Sequence, residues 1–220
     1  RAALCETTAD LPVEWQAVVQ DASQMFPDPP PGLASYDSFS SGDRGEYVKL
    51  VARQLICGKV GLHTSVKGGG TVLAVGKPNS SRQREVWHGK RVSQAAAEPP
   101  KPNHLACPSA LIHLEASDEK PIRVSKRDAS CWFDQLELPP CLRGYMGRPP
   151  VTKRELQDGG GLSMDEIHSF LEEGADCTKD LVYPVSRVWP MGFSWSSFVA
   201  QEKLLAICRE AGLTEDKVLA

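Results

Sequence analysis

The sequence predicts an α+β fold. Two N-terminal stretches carry helical apolar spacing, a long hairpin follows them, and a strand–turn–helix unit lies towards the C-terminus. Helices and strands come in mixed order without a repeat, which argues against a regular βαβ alternation. With 41% hydrophobic residues, the 220-residue chain has enough apolar material for a core.

Residues 11–25 predict the first helix. Leu11, Trp15, Val18, Val19, Ala22 and Met25 share one stripe, and Asp10 is placed to cap it. The prolines between 27 and 31 end it, and the Ser-, Gly- and Asp-rich residues 32–43 read as loop. A second helix is expected from about Arg44 to Cys57, with Gly58 as its stop. Residues 71–75 and 84–88 read as two strands of a hairpin spanning 71–89. Between 77 and 91 there are five basic residues (Lys77, Arg82, Arg84, Lys90, Arg91) against Glu85 alone. The plain reading of such a cluster is a solvated tip; the functional one is phosphate capture, Lys as a point charge and Arg as a fork.

Residues 98–102 are a Pro-rich connector, 106–116 read as a short helix, and 121–128 read as a strand ending on Asp128. A carboxylate there can ligate a hard cation such as Mg²⁺ or simply cap the next turn, with Phe133 in the core. Residues 142–146 suggest another strand. Residues 152–180 hold eight acids against three Lys or Arg and read as a surface insertion. Within it, Ser163 and Glu166 form a capping-box pattern that starts a helix to about Leu171. Residues 181–189 return to strand character, Pro190-Met191-Gly192 turns sharply, and a helix runs from Ser194 to about Glu210, closed by Gly212.

The formal charge of −3 leaves no overall field that would draw the chain to nucleic acid. Seven cysteines without a C-x-x-C pair argue against a disulfide framework or zinc site and for an intracellular, reducing setting. No apolar run is long enough to span a bilayer, and no membrane role is expected. The initial Arg and the unpunctuated residues 213–220 suggest a piece of a longer chain.

Three separated segments together resemble the polymerase domain of reverse transcriptases, most closely those of retrotransposons. The basic hairpin resembles the fingers hairpin of that family, with Lys77 and Arg84 matching the pair that contacts the incoming triphosphate. Asp128 through Phe133 is similar to the first palm motif. Trp189-Pro190-Met191-Gly192-Phe193-Ser194, with Gln201, is similar to the second. The resemblance spans roughly residues 44–210 and implies a partial right-hand polymerase: fingers over 44–120 and part of the palm over 121–212, with a mixed or antiparallel palm sheet packed on helices. It implies Asp128 as the catalytic metal ligand. Lys77, Arg84, Ala129, Phe133, Gly192 and Gln201 are the implied nucleotide-binding residues. Of these, Phe133 screens out ribonucleotides and Gly192 admits backbone close to the nucleotide.

The implied cofactor is Mg²⁺ in a two-metal site, and the implied partners are an RNA or DNA template-primer and dNTPs; oligomeric state is left open. The family's aromatic-x-Asp-Asp motif does not occur in the sequence. The expectation is therefore a template-directed DNA polymerase fragment that is inactive by itself. The alternative is a non-catalytic nucleic-acid-binding or interaction domain on the same scaffold.

Overall fold

The structure, a computed structural model, describes residues 4–28, 44–77, 81, 83–101, 115, 117–121 and 129–213. The expected loop at 32–43, the short helix at 106–116 and most of the Asp128 strand lie outside them. Within them the chain is α+β: helices pack on a three-stranded antiparallel sheet and on a separate hairpin.

The first predicted helix is two. α1 spans Val13–Gln20 and α2 spans Ala22–Met25. Asp21 between them is extended, and its carboxylate accepts from the Ser23 amide, so a local side-chain bond competes with helix continuation. Asp10 does not cap α1, whose N-cap is Pro12; it pairs instead with Lys203. α3 covers Arg44–Cys57 and ends where Gly58 turns left-handed at φ 82°.

β1 (Val60–His63) pairs antiparallel with β5 (Leu181–Ser186), and β5 pairs on its other side with β4 (Val151–Thr152). Pro184 sits in this central strand opposite Leu62. Proline has no N–H to give, and Leu62 needs none: it donates to Phe170 and accepts from Glu172. β2 (Thr71–Gly76) and β3 (Gln83–His88) form the predicted hairpin, in register from Thr71 opposite His88 to Gly76 opposite Gln83. α4 (Lys90–Ala95) follows it.

Residues 142–146 are not a strand. Pro140 occupies the first turn of α5 (Pro140–Arg143), where its missing N–H costs nothing, and a turn then buries Tyr145 and Met146. The acidic segment is likewise more than a surface insertion. α6 (Lys153–Asp158) and α7 (Met164–Ser169) place Leu156, Leu162 and Ile167 in a core with Val51 and Leu55 of α3 and Val60 of β1. Both helices begin with complete capping boxes, Thr152 with Glu155 and Ser163 with Glu166. The acids cap helices and face water while the few apolar residues point inward.

A second core gathers Phe26, Trp87, Tyr145, Trp189, Phe193 and Trp195 with α8 (Ser196–Glu210). α8 turns Phe198, Val199 and Leu205 inward, whereas Leu204 and Ile207 are exposed. No helix among the described residues is long and apolar enough to cross a membrane.

Arg44 clamps the start of α3 to that of α6, its Nε and Nη2 bonding Glu155 at 2.8 and 2.7 Å. The Arg44 bonds, with those from Thr152, hold the Glu155 carboxyl down at about 2. A depressed carboxyl stabilises the fold fully above its ordinary value of 4.5, and that contribution is lost as pH falls towards 2. Both side chains are about a third exposed, so Arg44→Gln should cost under about 1 kcal/mol at neutral pH. Urea midpoints measured from pH 5 to 2.5 should fall less steeply for the variant than for the wild type. Parallel curves would show the clamp to be energetically silent.

Candidate functional site

A cleft of about 580 Å³ lies where the hairpin meets residues 129–134 and the turn after β5. The hairpin register sets its first side. Val75 faces Arg84 and Gly76 faces Gln83, so Lys77 and Arg84 emerge at one end of the ribbon, both exposed and both lining the cleft. Residues 129–134 form another side. Cys131 is left-handed at φ 52° and starts a 3₁₀ turn over Trp132–Gln135, which presents half-buried Trp132 and Phe133. The Trp132 indole donates to the Ala200 carbonyl at 3.3 Å, so α8 braces this side. Val188, Pro190 and Met191 complete the lining with Trp87 and Arg148.

Charge in the cleft is mixed but net positive. Among the described residues Lys59, Lys77, Arg84 and Arg148 line it, against Glu85 and Asp134. Arg148 is only 1% exposed, and its Nη1 donates to Glu85 and to Gln54, each at 2.8 Å. Gln54 also donates to Glu85, and Lys59 lies 3.3 Å from the same carboxylate. Burial alone would push the Glu85 carboxyl up, but Arg148, Lys59 and Gln54 outweigh it and hold it below its ordinary value. Glu85 is thus a charged, inward-facing anchor directly beside outward-facing Arg84.

Of the residues singled out from sequence, Lys77, Arg84, Ala129 and Phe133 line this one cleft. Asp128 lies outside the described residues. Gly192 does not open onto the cleft: at φ +115° it sits against the hairpin, and a Cβ there would fall 2.1 Å from the Trp87 carbonyl oxygen. Its neighbour Met191 lines the cleft and accepts from the Trp87 amide at 3.1 Å. Gln201 is 8% exposed in α8, away from the lining.

Sequence reasoning missed Lys59, Glu85, Asp134 and Arg148. A signal existed for Glu85: in a strand it shares a face with Trp87, the most buried residue of β3. Arg148, between Gly147 and two prolines, carried none.

The described residues contain no group of three or more metal-ligating side chains, and the Asp134 carboxylate is taken by Lys59 at 2.8 Å. The chain matches no protein-family model and no curated protein.

Proposed function

We propose that this chain is the fingers and part of the palm of a reverse-transcriptase-like, RNA-directed DNA polymerase, and that the cleft takes a 2′-deoxynucleoside triphosphate. One observation carries the reading: Lys77 and Arg84 line the same cleft as Ala129 and Phe133, more than forty residues later in the chain. Convergence of two cations and an aromatic from distant segments is what a nucleotide requires. Lys77 and Arg84 neutralise phosphate oxygens, Arg84 with a planar fork. Phe133 and Trp132 give a flat apolar surface for sugar or base.

Nucleotidyl transfer asks the protein mainly for positioning and charge stabilisation. In this reading Mg²⁺, when bound, supplies stabilisation at the reacting phosphate, with Asp128 as its candidate carboxylate. The chain's own cations and aromatics bind and orient the nucleotide. A template-primer is the proposed second partner. One carboxylate is a poor holder for two metal ions, so the 220-residue chain should bind nucleotide without extending a primer.

The test uses MANT-dATP fluorescence with Mg²⁺ on the whole chain. Wild type should bind, and Lys77→Ala and Arg84→Ala should each weaken binding about tenfold, the loss of one charge-assisted contact. No binding by wild type, or equal binding by both variants, would overturn the nucleotide reading. Template-dependent incorporation that Asp128→Ala removes would overturn the expected inactivity. Binding of template-primer with no nucleotide affinity would favour the non-catalytic nucleic-acid-binding alternative.

A further inference from the structure

Lys59 lies between two cleft walls and bonds both of them. Its Nζ is 3.3 Å from Glu85 on β3 and 2.8 Å from Asp134 in the 3₁₀ turn. Each of these partners is the immediate chain neighbour of a residue facing the ligand space: Glu85 follows Arg84, and Asp134 follows Phe133. In an extended strand neighbouring side chains point to opposite faces, so fixing Glu85 inward fixes Arg84 outward. In the 3₁₀ turn successive side chains lie about a third of a turn apart, so fixing Asp134 also fixes the direction of Phe133.

The base of Lys59 is itself held. Its amide donates to Gln54 at 3.0 Å, its carbonyl accepts from Arg187 at 2.9 Å, and left-handed Gly58 precedes it. A long side chain on an anchored backbone can set a distance between two elements; on a loose one it could not.

We propose that Lys59 is a positioning residue: its ammonium group, bonded to Glu85 and Asp134 together, sets the spacing between Arg84 and Phe133 across the cleft. The role rests on the nucleotide reading for its consequence, although the spacing itself does not. Lys59 need not touch the ligand. Both of its carboxylate partners occupy its charge, leaving Lys77 and Arg84, among the described lining residues, as the cations available to phosphate.

Lys59→Met should fold. Glu85 keeps Arg148 and Gln54, Asp134 is 42% exposed and can be hydrated, and Met retains an apolar stem. The measurement is ¹⁹F NMR of protein labelled with 5-fluorotryptophan, beside MANT-dATP binding. All five tryptophans belong to or pack against the second core, but of them Trp87 and Trp132 line the cleft, whereas Trp15, Trp189 and Trp195 do not. Trp→Phe variants assign the signals.

Lys59→Met should move the Trp87 and Trp132 signals most and the other three, which do not line the cleft, less. It should weaken MANT-dATP about tenfold, the loss expected when a charge-assisted contact is displaced from its phosphate. Lys59→Arg, which keeps a cation of similar reach, should restore most of the affinity. Asp134→Asn, which cuts only one arm, should move Trp132 alone. Unchanged signals and affinity in Lys59→Met, with Lys77→Ala still weakened, would overturn the positioning role and leave the nucleotide reading standing. If wild type binds no MANT-dATP, the nucleotide reading falls and the tryptophan signals alone decide the role of Lys59.

Discussion

Gly192→Ala is expected to destabilise the protein by about 3 kcal/mol or more, since it combines a disallowed backbone with an overpacked contact. At φ +115° an L side chain is strained whatever the space around it, and here there is none: the new Cβ would lie 2.1 Å from the Trp87 carbonyl oxygen. The neighbour is main chain in a paired strand, so no rotamer change relieves the clash. Either the turn after β5 lifts off the hairpin, breaking the Trp87–Met191 backbone bond of 3.1 Å, or β3 shifts and carries Arg84 with it. Gly45→Ala is the control. Nothing lies within 4 Å of that Cβ in the first turn of α3, and Ala should gain up to about 0.5 kcal/mol there, less than in a helix interior. Urea unfolding of the two variants should give shifts of opposite sign. A Gly192→Ala midpoint equal to wild type would show that the turn does not depend on this contact.

The same residue marks a limit of sequence reading. Pro190-Met191-Gly192 announces a turn, and the turn is there, but what Gly192 approaches is hairpin backbone, about a hundred residues earlier in the chain. Elements with strong local patterns were legible. The 71–89 hairpin showed alternation on both sides of a turn-rich tip, α3 a stripe with a glycine stop, and α7 a capping box. Elements defined by distant partners were not. β1 is four residues long and contains Gly61, and its identity as a strand comes from pairing with β5 some 120 residues away.

Charge was the harder case. The acids of 152–180 dominate the composition, so the three apolar residues that enter the core carried little weight, although helical spacing can bury a few residues beneath a charged face. Arg148 and Glu85 form a buried pair that no propensity predicts, because burying either alone would be costly. For the cleft, the two basic residues and the aromatic stood out by type. The lysine tying their neighbours together did not, since its meaning lies entirely in where two other segments come to rest.

Trp87→Ala should cost about 4 kcal/mol, in the range for emptying a buried aromatic site. That is a large share of the ~5–15 kcal/mol that separates folded from unfolded domains. Trp87 is 1% exposed, packs edge-on against Phe193 with centroids 6.5 Å apart, and donates its indole N–H to Gly147 at 3.1 Å. It is the fully buried side chain of a two-stranded ribbon whose outer residues Leu73 and Val75 face water. An isolated hairpin is marginal in water, so β2–β3 holds its place through this anchor and the Glu85 pairs. Hydrogen exchange should therefore rise first at the hairpin amides in Trp87→Ala, before those of β1 and β5, whose core does not contain the indole. Trp87→Phe keeps an aromatic against Phe193 and should lose roughly half as much. If hairpin amides stay protected while the whole chain is destabilised uniformly, the ribbon is held by something other than this indole. The placement of Lys77 and Arg84 would then need another explanation.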